Sequence, residues 1–416
     1  MKNNRFPIFS ILLVMLLDQT CLSIIFPVLT LVFFDTQSNL FSADTSQAVR
    51  SMWYGICIAI PHVVNMFITP ILSALSDGFG RKRILLLATS GAFIFSIVGA
   101  LSIKLGMLSV FIFACLVQGV FSRADPIAIA AMGDVSPKEK KVVFMGYVQT
   151  AISLGAFVGP IIGGYFATQY FISTFNFSLP YLVASVFALI SFLSTVFIFK
   201  ETLHEMHAHS PWSEINFKSV KKILTNPMIF QITLLLLLSQ FTWRIYYQFI
   251  PPILKVNFGF DAHLLGIFVG SIAFWLALTT AFGIRFLLRF ISFYHLFVFS
   301  AYLVLIGILL TDLFCLLPNF SYCLWISVIP LAVGDVLLFS CITALYSDSV
   351  EKRQQGKVMG ICFIAIALMW AFTGFVGGIL MSVYSLLPLI VAPIGIIIVI
   401  LLLHRGFFKI EAQPNA

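Results

Sequence analysis

Five ionisable residues stand inside long apolar runs of this 416-residue chain: Asp18, Arg123, Asp125, Arg244 and Asp335. A charge at the centre of an apolar span costs about 2.5–3.5 kcal/mol on insertion scales, so such groups should face water, a bound solute or one another. Their types define two chemistries. A carboxylate in a low-dielectric cavity is suited to taking up and releasing a proton near neutral pH, which makes Asp18, Asp125 and Asp335 proton-coupling candidates. An arginine keeps its proton, so Arg123 and Arg244 are fixed positive charges. They either hold an anionic solute or bias a nearby carboxylate toward ionisation. Arg123 and Asp125 are two residues apart, point to different sides of a helix and need partners elsewhere. Asp18 is the expected partner of Arg123, and Arg244 with Asp335 is the corresponding pair later in the chain. The stretch FTWRIYYQF, residues 241–249, sets Trp243, Tyr246, Tyr247 and Gln248 around Arg244. Aromatics around a cation suit an organic solute, so Arg123, Arg244, Trp243, Tyr247 and Gln248 are the substrate-binding candidates. Static ion pairs and ordinary helix packing are the structural alternatives.

Other chemistries find little support. His204, His207 and His209 fall in a polar stretch, HEMHAHSPW, that tolerates histidines freely, so no metal site is expected. The seven cysteines lie in or beside apolar runs without CxxC spacing and read as small buried residues. With no nucleotide-binding loop and no nucleophile–base spacing, neither an enzyme nor a bound cofactor is expected.

The elements that must position these groups are membrane spans. The chain is 60% hydrophobic and 10% charged, against about 25% charged for a soluble domain. A spanning helix needs about 20 mostly apolar residues. That rule places twelve spans at 8–33, 51–75, 84–103, 107–133, 142–169, 179–199, 229–254, 262–284, 292–312, 321–347, 357–382 and 385–403. The first is too long for the apolar core of a signal peptide and is read as a retained span.

Of the 24 Lys and Arg, 19 fall in segments on one side of these spans and three, Arg50, Lys104 and Lys255, on the other. Arg123 and Arg244 are within spans. This asymmetry predicts that both termini are cytoplasmic, and it accounts for the net charge of +8 without a nucleic-acid partner. An internal repeat is also present. DVSPKEKKVVFMG, starting at Asp134, returns as DSVEKRQQGKVMG 214 residues later at Asp348, and Gly163 and Gly164 recur at Gly377 and Gly378 at the same offset. Six spans followed by six is the layout of two-half transporters with a site near mid-membrane. The expected organisation is an all-α membrane protein with bundles at 1–200 and 228–416, joined by a cytoplasmic linker at 201–227.

Two motifs carry a family resemblance. The loop SALSDGFGRKR, Ser73 to Arg83, resembles the cytoplasmic signature of the major facilitator superfamily, matching it at Leu75, Asp77, Gly80, Arg81 and Lys82, with Ser73 in place of the first glycine. The resemblance implies an inner-gate charge cluster of Asp77, Gly80 and Arg81, with Asp134 at the end of the fourth span as acidic partner. GAFVGPIIGG in the fifth span is similar to the signature of the drug–proton antiporter branch, carried by Gly155, Gly159, Pro160, Gly163 and Gly164. Physically, glycines four apart make a flat face for close helix contact, and a proline bends the helix that carries them. Cys115 stands where that branch places an arginine in the fourth span, and Arg123 is the candidate substitute. The resemblance also implies that spans 1, 4, 7 and 10, which hold the five ionisable residues, line a central cavity.

The expected function is secondary active transport by alternating access: proton-coupled efflux of a small organic compound, in the style of tetracycline or multidrug exporters. The energy source is a proton gradient. Alternatives are transport of an anionic metabolite, such as a polycarboxylate siderophore, and a non-transporting membrane sensor. The expected setting is a bacterial inner membrane. The expected partners are a small-molecule substrate, protons and the bilayer, with the chain acting as a monomer.

Overall fold

The computed structural model describes residues 5–121, 124–137, 141–168, 177–203, 225–317, 322–350 and 355–405. Among the described residues, twelve helical segments are long and apolar enough to cross a membrane. Spans 1 to 3 are Arg5–Phe34, Gln47–Phe79 and Arg81–Leu105. Spans 5, 6 and 7 are Lys141–Phe166, Ser178–Phe197 and Pro227–Phe258. Spans 9, 10 and 11 are Phe293–Leu316, Leu324–Asp348 and Gln355–Val383. Helices are required here because the bilayer core offers no water to satisfy backbone N–H and C=O groups. Span 2 starts where Ser46 accepts a bond from the Val49 amide, satisfying one of the first-turn donors.

Among the described residues, spans 8 and 12 depart from a single uniform helix. The described parts of span 4 are the helices Leu108–Phe121 and Asp125–Val135. Pro126 sits in the first turn of the second, where its missing N–H costs nothing. Asp125 stands in the first turn of that helix. Span 8 begins as Ala262–Leu278 and passes through a π-helical turn, Thr279–Gly283, into Ile284–Leu287. Span 12 is Leu387–Val391 followed by Pro393–His404. Span 5, by contrast, stays helical straight through Pro160.

The chain forms two compact units. One comprises Met1–Ile215 and Leu254–Gly270, the other Asn216–Ile253 and Ser271–Ala416. In the first unit, span 1 packs against spans 5 and 6, span 3 against spans 4 and 6, and span 2 against span 4. Apolar side chains such as Val14, Leu85, Ala128 and Met132 close its core. In the second unit, span 9 packs against spans 10 and 12, and span 10 against span 11.

Candidate functional site

Three groups of residues carry the candidate chemistry. The first lies at mid-span. Asp18 is buried in span 1 at 1% exposure, and Asp335 in span 10 at 8%. Asp125 is half-buried at the head of its helix. Arg123 and the histidines at 204, 207 and 209 lie outside the described residues.

Arg244 is built into span 7 within the second unit. Its Nε donates to Gln240 Oε1 one turn earlier, at 3.0 Å. Its guanidinium lies 4.4 Å from the ring centroid of Trp370 in span 11, a cation–π contact. Asp335 in span 10 interacts electrostatically with that guanidinium. Tyr247 meets Trp370 edge-on at 6.0 Å and stacks with Trp243 at 5.7 Å. Gln248 is fully buried. Its Nε2 donates to the Trp370 carbonyl, and its Oε1 accepts from Thr373 Oγ1, both at 3.0 Å. A buried amide must find such partners, and these two bonds tie Gln248 to span 11. Trp370, Thr373 and Gln240 are the members that sequence reasoning missed.

The second group lies at the basic side of the first unit. Arg81 is 7% exposed and engages three groups. Its Nη2 pairs with Asp77 Oδ1 at 2.6 Å, its Nη1 donates to Ser76 Oγ at 2.6 Å and its Nε donates to Asp134 Oδ2 at 3.1 Å. The expected Asp77–Arg81–Asp134 cluster is therefore assembled, and one planar guanidinium ties the ends of spans 2 and 4 together. Gly80, between spans 2 and 3, has φ +96°, a left-handed conformation that favours glycine. Glu201, just beyond span 6, accepts from the backbone amides of Arg81 and Lys82 at 2.9 and 3.0 Å. Thr202 Oγ1 donates to Asp134 Oδ2 at 3.3 Å, and Lys82 Nζ donates to the Val196 carbonyl at 2.8 Å. Glu201 and Thr202 gave no signal in the sequence beyond being polar residues at a span end.

The third group is the glycine face of span 5. A Cβ on Gly155 would come within 2.9 Å of Gln19 Cβ and of the Leu16 carbonyl oxygen, and one on Gly159 within 2.6 Å of Ser23 Cβ. At Gly163 it would collide with the Ile24 carbonyl. These three glycines thus let span 5 lie directly on the backbone of span 1. Gly164 points elsewhere, with its Cα 3.0 Å from where a Cβ of Gly266 in span 8 would sit. Pro160 contributes its carbonyl oxygen to the same close approach. On the opposite side of the first unit, Asp35 Oδ2 pairs with Lys255 Nζ at 2.6 Å. Arg50 there is buried and donates to the carbonyls of Phe33, Ser42 and Thr45.

This geometry can be set beside known proteins. The chain is 28% identical over 195 residues to the tetracycline resistance protein, class H, of Pasteurella multocida, a match covering 47% of this chain and 44% of that protein. It is 32% identical over 183 residues to multidrug resistance protein 2 of Bacillus subtilis, covering 42% and 43%. These matches therefore span less than half of each relative. A longer match, 26% over 334 residues, covers 79% of this chain and 80% of multidrug resistance protein 1 of Bacillus subtilis. Among solved structures, a D-xylose–proton symporter superposes with a TM-score of 0.76 at 15% identity, covering 98% of this chain and all of that one. The human organic anion transporter MFSD10 does so at 0.67 and 16% identity, covering 97% and 100%. At such identities the structures speak for the fold alone. The family model described as Major Facilitator Superfamily matches residues 8–374. That match runs from the first span into the eleventh, and on its extent this multi-pass membrane protein belongs to the Major Facilitator Superfamily.

Proposed function

We propose that the chain is a proton-coupled antiporter that exports a small organic compound across a bacterial inner membrane, with both termini cytoplasmic. It needs no bound cofactor and works as a monomer, drawing energy from the proton gradient. The observation that carries this reading is the burial of Asp18. A carboxylate at 1% exposure within a span is costly to keep there, and intramembrane carboxylates mark proton and ion pathways. Asp335 supplies the equivalent group in the second unit, and Asp125 stands behind both. Export rather than uptake is supported by relatives named for tetracycline and multidrug resistance. In this reading Asp77, Gly80, Arg81 and Asp134 form the inner gate.

The test uses inverted membrane vesicles with an acidified lumen, supplied in turn with tetracycline, ethidium and benzoate. Export by antiport predicts accumulation of at least one solute that collapses with the gradient. Asp18→Asn should abolish accumulation against a gradient while leaving downhill exchange. Uphill accumulation with wild-type pH dependence in that variant would remove Asp18 from the coupling path.

A second reading, movement of an anionic compound, is favoured by Arg244 stacked on Trp370, since a guanidinium on an aromatic platform suits a planar acid. Benzoate accumulating where ethidium does not would select it.

A further inference from the structure

The family motif accounts for Asp77, Gly80, Arg81 and Asp134, but not for the carboxylate that organises their backbone. We propose that Glu201 is a positioning residue of the basic-side cluster. It fixes the first turn of span 3, and with it the Arg81 guanidinium, and it ties that turn to the segment leaving span 6. The inference rests on reading this cluster as the inner gate.

The first amides of a helix have no acceptor within the helix and are ordinarily met by the side chain of the residue just before it. Before span 3 that residue is Gly80, which has no side chain. The acceptor comes instead from 120 residues away. Glu201 Oε1 accepts from the Arg81 amide, and Oε2 accepts from the Lys82 amide. A full negative charge on these donors also meets the positive end of the helix dipole. Gly80 leaves the room for this, because a Cβ there would stand 2.5 Å from Glu201 Oε2. The glycine and the carboxylate are complementary parts of one arrangement.

The same carboxylate orders its own strand of chain. Oε1 also accepts from the amides of Thr202 and Leu203, at 3.0 and 3.1 Å. That turn presents the Thr202 hydroxyl to Asp134, the partner of Arg81. Residues 201 and 202 therefore hold Arg81 from two directions, through its backbone amide and through its carboxylate partner. They are also the first residues of the linker that joins the two repeats.

The test compares full-length wild type with Glu201→Gln and Glu201→Asp by hydrogen–deuterium exchange and by tetracycline flux in vesicles. The exchange arm needs no solute. Glu201→Gln should speed exchange in the peptide opening span 3 at least about fivefold and leave the span 9 peptide unchanged. Unchanged exchange at span 3 overturns the proposal. In the flux arm Glu201→Gln should lower the maximal rate about fivefold with apparent KM within about twofold, and Glu201→Asp should recover part of the loss. Asp77→Asn separates the two readings. If it slows flux while Glu201→Gln does not, the role of Glu201 fails; if neither slows flux, the gate reading fails with it. Should Glu201→Gln not accumulate in membranes, Thr202→Val decides. It removes one side-chain bond to Asp134 and should cost two- to fivefold in maximal rate, and a wild-type rate overturns the proposal.

Discussion

Arg244 shows what a single side chain asks of its surroundings. Its charge is conspicuous in the sequence because it interrupts an apolar run, and Asp335 stands out for the same reason. Trp370 was not legible, because an aromatic residue in a span reads as ordinary packing until the fold lays it 4.4 Å from a guanidinium. Gln248 was legible as polar but not in its role, since burial and the two bonds to span 11 appear only once spans 7 and 11 are side by side. Glu201 was hidden for a third reason: a carboxylate at a span end looks like a solvated charge, and its partners are 119 and 120 residues away. A cation–π contact is worth about 0.5–2 kcal/mol, which is roughly a 2- to 30-fold change in an equilibrium constant. If Arg244 and Trp370 hold the solute together, Arg244→Lys keeps the charge but loses the planar stack. Apparent KM for that solute should then rise within this range with the maximal rate nearly unchanged. Trp370→Leu should raise KM similarly. Unchanged KM in both variants would assign the pair to helix packing.

Span 5 lies on the backbone of span 1 along a face of glycines. Its glycine–proline string was readable as a flat, close-packing face, but the string does not say what the face meets. The structure supplies span 1 for Gly155, Gly159 and Gly163, and span 8 for Gly164. Span 4 shows the converse. Its length and apolar character were readable, while the place of Pro126 in the first turn of Asp125–Val135 was not, because an apolar count does not register where a backbone donor is missing. The contacts of span 5 make substitutions at its glycines unequal. Gly163→Ala would drive a methyl group into the Ile24 carbonyl of span 1, and overpacking of this kind costs about 1–3 kcal/mol. The variant should show reduced thermal stability in detergent and reduced transport. Gly146, on the same helix, has nothing within 4 Å of a Cβ position. Gly146→Ala should be neutral or slightly stabilising, because alanine is favoured over glycine in a helix by about 1 kcal/mol. Equal stability of the two variants would contradict the close contact with span 1.

For the molecule as a whole, hydropathy and charge placement made the twelve spans legible, because a bilayer imposes length and apolarity on every crossing segment. Assignment of Leu254–Gly270 to the first unit was beyond that reach. Within that unit Lys255 pairs with Asp35, 220 residues away in sequence, and Gly164 meets Gly266. Orientation remains the property that charge alone predicts, and it can be measured directly. Six of the seven cysteines are buried, leaving Cys323 as the partly exposed thiol among them. A Cys323→Ser background should therefore react slowly with a membrane-impermeant maleimide. Lys104 and Arg83 are exposed and lie near opposite ends of span 3. Cytoplasmic termini place Lys104 outside and Arg83 inside. Lys104→Cys should be labelled in intact cells, and Arg83→Cys only after the membrane is opened. The reverse pattern would invert the topology, and with it the direction in which a proton gradient drives the exported solute.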